Sequence, residues 1–217
     1  MRAPGALGLD RVGGLAEPGG VEKAEPDLPD LGVGLDRVAR RPRRRADDGA
    51  VVAQESDWPE ADPADVASID AIVETIYAVI SGPSDEARDW DRFRSLHHPE
   101  ARLIPTGPTR DGGWNVGVRT VDGYVEVASN AFRNTPLFQG KGFYETEAAR
   151  RVERYDHIAQ VWSTYESRLD PSEAPFQRGI NTFQLVHDGE RWWILNVLWQ
   201  GETSDAPIPT PYLPEGE

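Results

Sequence analysis

With 217 residues, no cysteine and a formal net charge of −14, the chain has room for one ordinary domain and no means of building a disulfide, a thiolate nucleophile or a cysteine-ligated zinc site. That charge repels phosphate backbones and anionic membrane surfaces, so neither nucleic acid nor membrane is expected as a partner. No apolar run approaches the roughly 18 residues that span a bilayer, and the N-terminus lacks the apolar centre of a signal peptide; a soluble, cytoplasmic protein is expected.

Residues 1–57 are rich in Gly, Pro, Ala and charge and hold no aromatic side chain, which predicts a disordered, low-complexity tail. Within it, Arg37, Arg40, Arg41, Arg43, Arg44 and Arg45 form a basic cluster. The cluster reads as an anion-binding or nucleic-acid-binding arm, or as a solvated tail read from a start placed too far upstream, and the acidic residues around it favour the second. From Trp58 onward come all seven Trp, six Tyr and six Phe. The folded domain is therefore expected over 58–205, with 206–217 as a Pro-rich C-terminal tail.

The first element reads as a helix over about 63–81: Asp62 can cap it, Pro63 suits its first position, and Gly82-Pro83 stops it. Val66, Ile69, Val73, Ile76 and Ile80 recur at helical spacing along it. "DWDRFRSLHH" predicts a second, short helix with Phe93, Leu96 and His97 on one face. Short strands follow in "ARLIPTG" and "WNVGVRT", around the turn Asp111-Gly112-Gly113. A third helix starts near Thr120, with Tyr124, Val127, Ala128 and Phe132 inward. Four strand-like runs complete the domain, at about 143–154, 157–168, 176–186 and 191–201. The fold class is α+β, three N-terminal helices on a strongly curved, mainly antiparallel sheet.

This order, with "F..L..PEARL" leading from helix to strand and "DGERWWILNVLWQ" closing the sheet, resembles the NTF2-like superfamily in its SnoaL-like and ketosteroid-isomerase-like branch over about residues 60–205. The resemblance implies a conical sheet around an apolar pocket, and often a dimer packed through the outer sheet face. It also implies that Tyr77 corresponds in position to the helix-one tyrosine that donates to a developing oxyanion. The general-base aspartate of the isomerases falls on about Pro105, which cannot take a proton. The fold serves isomerases, dehydratases, transport adaptors and binding modules alike, so it does not choose the function.

If the turn His187-Asp188-Gly189-Glu190 closes symmetrically, Asn181 faces Asn196. Phe183, Leu185, Trp192, Ile194 and Leu198 then join the two amides on the cone face. Arg178, Ile180, Thr182, Gln184, Trp193, Leu195, Val197 and Trp199 take the outer face, and a bulge would invert this assignment. On the neighbouring strand Ala159, Val161, Ser163 and Tyr165 point inward, with Trp162, Thr164 and Glu166 outward. Glu166 is expected to meet Arg178.

Candidate ligand contacts are thus Tyr165, Asn181, Phe183, Trp192, Ile194 and Asn196. Buried amides must find hydrogen bonds, either in each other or in a ligand. Tyr77 and His97 are the candidate catalytic pair, His97 standing as the base that Pro105 cannot be, against its alternative as a hydrogen-bonded core histidine. "HHPE" lacks the HExxH spacing, and His157 and His187 have no ligand spacing, so no metal is expected; nor is any cofactor.

Three functions remain open. The leading one is binding of a small, largely apolar, carbonyl-bearing molecule in the cone. The second is a cofactor-independent isomerase, dehydratase or cyclase using His97 and Tyr77. The third is a protein-interaction module using the outer face. A homodimer through Trp162, Trp193, Leu195, Val197 and Trp199 is expected in the first case.

Overall fold

The computed structural model describes residues 57–109 and 111–216; expectations for residues 1–56 lie outside them. The single helix expected over 63–81 is two elements. Asp62 accepts from the Ala64 N–H and caps a short 3-10 turn, Pro63–Val66. Ser68 then caps α1, Ile69–Ile80, through the Ala71 N–H. Two capping side chains six residues apart each start their own element, worth about 1 kcal/mol apiece. Asp65, in the first, is buried and ion-paired to Arg92 at 2.7 Å while Thr75 donates to it at 3.2 Å, which locks the turn against α1 and its successor.

The chain turns at Gly82, whose φ of 149° suits only glycine, in the two-residue strand β1, Gly82–Pro83. The Arg88 guanidinium fills this turn, donating to the carbonyls of Ile80, Gly82, Pro83 and Glu86. Helix α2, Trp90–Leu96, is capped by Asp89. It ends one residue before His97, which opens strand β2, His97–Pro108. Strands β3, Trp114–Val116, and β4, Arg119–Thr120, both pair with β2. Helix α3, Val121–Asn134, is capped by Thr120 and follows these strands, so the helices do not form one N-terminal block. Val125 takes the buried position on α3, beside Ala128 and Phe132, while Val127 is half-buried.

Four long strands follow: β5, Gly142–Tyr155; β6, Ile158–Arg168; β7, Gln177–His187; and β8, Trp192–Gly201. The sheet order is β1-β5-β6-β7-β8-β2-β3, antiparallel except where β2 runs parallel to β8. Helices α1 and α3 pack on its inner face, α1 against β5 and β8, α3 against β2. The core lies between, with Ile72, Phe93, Leu96, Val161, Phe183 and Ile194 buried. Among the described residues no helix is long and apolar enough to cross a membrane.

The β7–β8 register differs from the expected one, and the reason is local. Asp188 accepts from the Glu190 and Arg191 N–H groups, so the loop is residues 188–191 and His187 pairs with Trp192. That shift of two keeps every side chain on its face. The ladder then slips by one: Leu185 pairs with Ile194, Gln184 with Asn196, and Leu195 is the unpaired residue of a bulge. Beyond it the faces exchange. Asn196 lies outside, donating to Gln184 at 2.7 Å, and does not face Asn181; Leu198 is 41% exposed. Val197 is buried, and Trp199 stands opposite Asn181 on the inner face, so neither belongs to the outer surface.

The C-terminal segment folds back across the outside of β6. Ile208 is buried with its N–H on Glu202, the Tyr212 ring lies 5.3 Å from Trp162, and Thr164 donates to the Tyr212 carbonyl. Residues 206–216 thus cover Thr164 and part of the outer sheet face.

Candidate functional site

The inner face of the sheet and the three helices enclose a cavity of about 1620 Å³. Its wall is largely aromatic: Phe93 stacks on Tyr124 at 5.3 Å, Tyr124 meets Trp199 edge-on at 5.9 Å, and Phe132 lies 5.2 Å from Phe143. Tyr77, His97, Pro105, Tyr165, Asn181 and Phe183 also line it. Trp192 and Ile194 are buried, and neither lines the cavity.

A carboxylate that sequence reasoning left unassigned stands among these groups. Glu145 shares a face of β5 with Phe143, two residues away, and lines the cavity. Its backbone N–H is held by the Ser81 hydroxyl, which itself donates to the Tyr77 carbonyl, so α1 and β5 are stitched together at this residue. Ser167 donates to one carboxyl oxygen at 2.9 Å and Asn181 to the other at 3.3 Å. Burial pushes the Glu145 carboxyl up to about 7, against the lowering effect of those two hydrogen bonds. Alternation along β5 was the available signal; a glutamate two positions from an inward phenylalanine must itself face inward.

Asn181 also donates to the Tyr77 hydroxyl at 3.0 Å, and the Tyr77 hydroxyl lies 2.6 Å from Ser163. Ser163 in turn donates to Glu147, whose carboxylate is held by Arg150. Burial, then the charge of Glu145, raises the Tyr77 pKa, so the ring stays protonated. The structure therefore links Tyr77 with Asn181 and gives it no hydrogen bond to His97.

His97 is wholly buried. Its Nδ1 lies 2.8 Å from the Phe93 carbonyl, which requires that nitrogen to carry the proton, and Nε2 is sealed without a partner. Burial lowers its pKa to about 4, so it is neutral at pH 7 and a weak proton acceptor. The unpaired lone pair costs roughly 1–3 kcal/mol. Pro105 sits buried in the cavity wall at the position where the resemblance puts a base. Arg178 and Glu202, which also line the cavity, pair at 3.0 Å, and Glu166, opposite Arg178 across the ladder, pairs with Arg168.

Among the described residues no group of three or more His, Cys, Asp or Glu is placed to hold a metal ion. The chemistry on offer is that of one carboxyl titrating near neutrality in an aromatic enclosure, beside tyrosine hydroxyls.

No protein-family model and no curated protein sequence matches the chain. Solved structures do. The chain is similar to an NTF2-like protein of unknown function from Silicibacter pomeroyi, at 12% identity over 63% of this chain and 94% of that one, with a TM-score of 0.42. An NTF2-like protein of unknown function from Shewanella baltica is similar at 12% identity, over 63% and 98% of the two chains, with a TM-score of 0.37. A Nostoc punctiforme protein of unknown function with a cystatin-like fold is similar at 8% identity, over 64% and 91%, with a TM-score of 0.47.

Proposed function

We propose that the cone binds a small, largely apolar, carbonyl-bearing molecule, and that Glu145 is the group that exchanges a proton with it. The observation that carries this reading is the Glu145 carboxyl, pushed to about 7 by burial in an aromatic cavity. A carboxyl with that affinity is divided between acid and base at neutral pH, which is what proton abstraction beside a carbonyl requires. Cofactor-independent isomerisation or dehydration fits such a group, with Glu145 in the role that sequence reasoning gave to His97. A cavity of about 1620 Å³ supports binding over a filled core, since ligand sites run from roughly 300 to 1,000 Å³ and this one includes its open mouth.

Two measurements test it. A map of the protein purified from its own source should hold density for a small molecule beside Glu145; a cavity closed by side chains to well under roughly 300 Å³ refutes the binding reading. Carboxyl-carbon NMR should place the Glu145 midpoint near 7; a midpoint in the ordinary carboxylate range refutes the proton-transfer role.

We also propose that the chain pairs with a second copy through the outer sheet face. The bulge and the C-terminal segment redraw that surface as Trp193, Leu195 and Leu198 on β8, with Trp162 partly covered by Tyr212. The exposed Leu198 is what supports it.

A further inference from the structure

We infer that Tyr165, and not Tyr77, donates the hydrogen bond that receives the ligand's carbonyl or enol oxygen, Tyr77 serving instead to position Asn181 against Glu145. The inference rests on the reading of the cavity as a ligand site and deepens it by naming the donor.

The hydrogen bonds of Tyr77 are all committed within the protein. Glu147 is held by Arg150 through contacts of 2.9 and 2.6 Å, which fixes it as a carboxylate and an acceptor. The Ser163 proton therefore goes to Glu147, and the Ser163 oxygen must accept from the Tyr77 hydroxyl 2.6 Å away. The Tyr77 oxygen accepts in turn from Asn181 at 3.0 Å. With its proton aimed at Ser163, Tyr77 has no O–H to offer the cavity. Asn181 uses the same nitrogen to reach Tyr77 and Glu145, so the tyrosine orients the amide that holds the carboxyl.

Tyr165 is placed the other way. It is 97% buried, being 3% exposed, it lines the cavity, and among the described residues its hydroxyl makes no hydrogen bond. Nor is that hydroxyl sealed: among the described residues His97 Nε2 is the sealed polar side-chain atom without a partner. A phenol O–H buried to this degree is expected to find an acceptor, and the open direction is the cavity. The backbone makes room for it. Gly179, directly across the ladder, carries no Cβ, and one placed there would come within 2.4 Å of the Tyr165 oxygen. Tyr165 stands two residues from Ser167 on the same face of β6, and Ser167 pairs across the ladder with Glu145 and donates to its carboxyl, so donor and proton acceptor line the same part of the cavity. The ligand class that fits is one with a single oxygen acceptor on a flat apolar frame: a conjugated ketone, its enol, or a phenol.

The test uses 4-nitrophenol, which has such an oxygen and whose absorbance reports the environment of it, with the full chain and its Tyr165→Phe and Tyr77→Phe variants. Both substitutions keep the ring and its packing. Tyr165→Phe should weaken 4-nitrophenol roughly tenfold or more, as loss of a hydrogen bond to a charged or strongly polar oxygen does, and Tyr77→Phe by less than about threefold. In spectra of the wild type labelled at the tyrosine ring carbon that bears the hydroxyl, 4-nitrophenol should move the Tyr165 resonance and leave that of Tyr77. A larger loss in Tyr77→Phe, or equal affinity in wild type and Tyr165→Phe, overturns the inference and leaves the cavity reading standing. Failure of the wild type to bind 4-nitrophenol at all overturns both.

Discussion

Replacing Glu145 by Gln keeps the shape of the side chain and an acceptor for Asn181, and removes only the charge that the cavity disfavours. The ordinary value of a glutamate carboxyl is 4.5 and the folded chain holds it at about 7. At about 1.4 kcal/mol for each tenfold step in proton affinity, the gap amounts to about 3 kcal/mol. The sign follows from which state binds the proton more tightly. Here it is the folded one, so the stability this group contributes is fully present below about 4.5 and is lost as pH rises towards 7, with no further change above. Glu145→Gln has no proton to lose. Measured by urea unfolding across that range, the stability of Glu145→Gln minus that of the wild type should rise by about 3 kcal/mol from low to high pH and then level off. All other titrating groups cancel in the difference. Two curves that stay parallel would show that Glu145 ionises as freely in the fold as in the unfolded chain, and the cavity would lose its acid–base group.

Other substitutions probe the frame around it. Gly179→Ala places a Cβ 2.3 Å from the Gln200 carbonyl, a backbone atom with nowhere to retreat, and should cost about 1–3 kcal/mol in urea unfolding; a neutral result contradicts the close approach of Tyr165 to this strand. Arg88→Lys replaces a planar fork that serves four carbonyls with a single ammonium and should destabilise the chain by about 2 kcal/mol or more, measured the same way. Val197→Glu and Leu198→Glu should differ sharply despite being neighbours, since Val197 is buried and Leu198 is 41% exposed. The first should cost about 3 kcal/mol or more, the second about 0.5 kcal/mol or less. If the outer face pairs two copies, Leu198→Glu should also convert a sedimenting dimer to monomer; a wild type that is already monomeric at micromolar concentration refutes the pairing.

What the sequence displayed of this fold follows from how local each determinant is. The four long strands were legible because alternation of side chains and the turn residues at 156–157 and 188–191 are both short-range features. The split of the first helix was written there too, in Ser68, a second capping residue six positions after Asp62, which accepts from the Ala71 N–H and starts its own element. Glu145 was hidden for a different reason. A glutamate is assigned to solvent unless partners are known to meet it, and its partners, Ser167 and Asn181, lie 22 and 36 residues further along the chain. His97, placed on a helix face by spacing, opens β2 instead and is buried there; its chemistry depends on whether anything faces Nε2, and no periodicity carries that information.

The bulge at Leu195 is where local pattern and tertiary structure part company, and the site depends on it. Without the extra residue, Asn196 and Leu198 would face the cavity, and two buried amides could satisfy one another in a purely structural pair. With it, Asn196 turns outward to Gln184 and Asn181 is left opposite Trp199. The Asn181 amide then has no amide partner and reaches Tyr77 and Glu145 instead. Trp199, brought inside by the same step, meets Tyr124 at 5.9 Å and completes the aromatic wall. One unpaired residue in β8 thus adds Trp199 to the aromatic wall and removes the amide that could have engaged Asn181. Bulges re-aim side chains at functional sites in this way, and here the re-aimed groups are Trp199, brought to the cavity, and Asn196, turned away from it, which leaves the Asn181 amide to Tyr77 and Glu145.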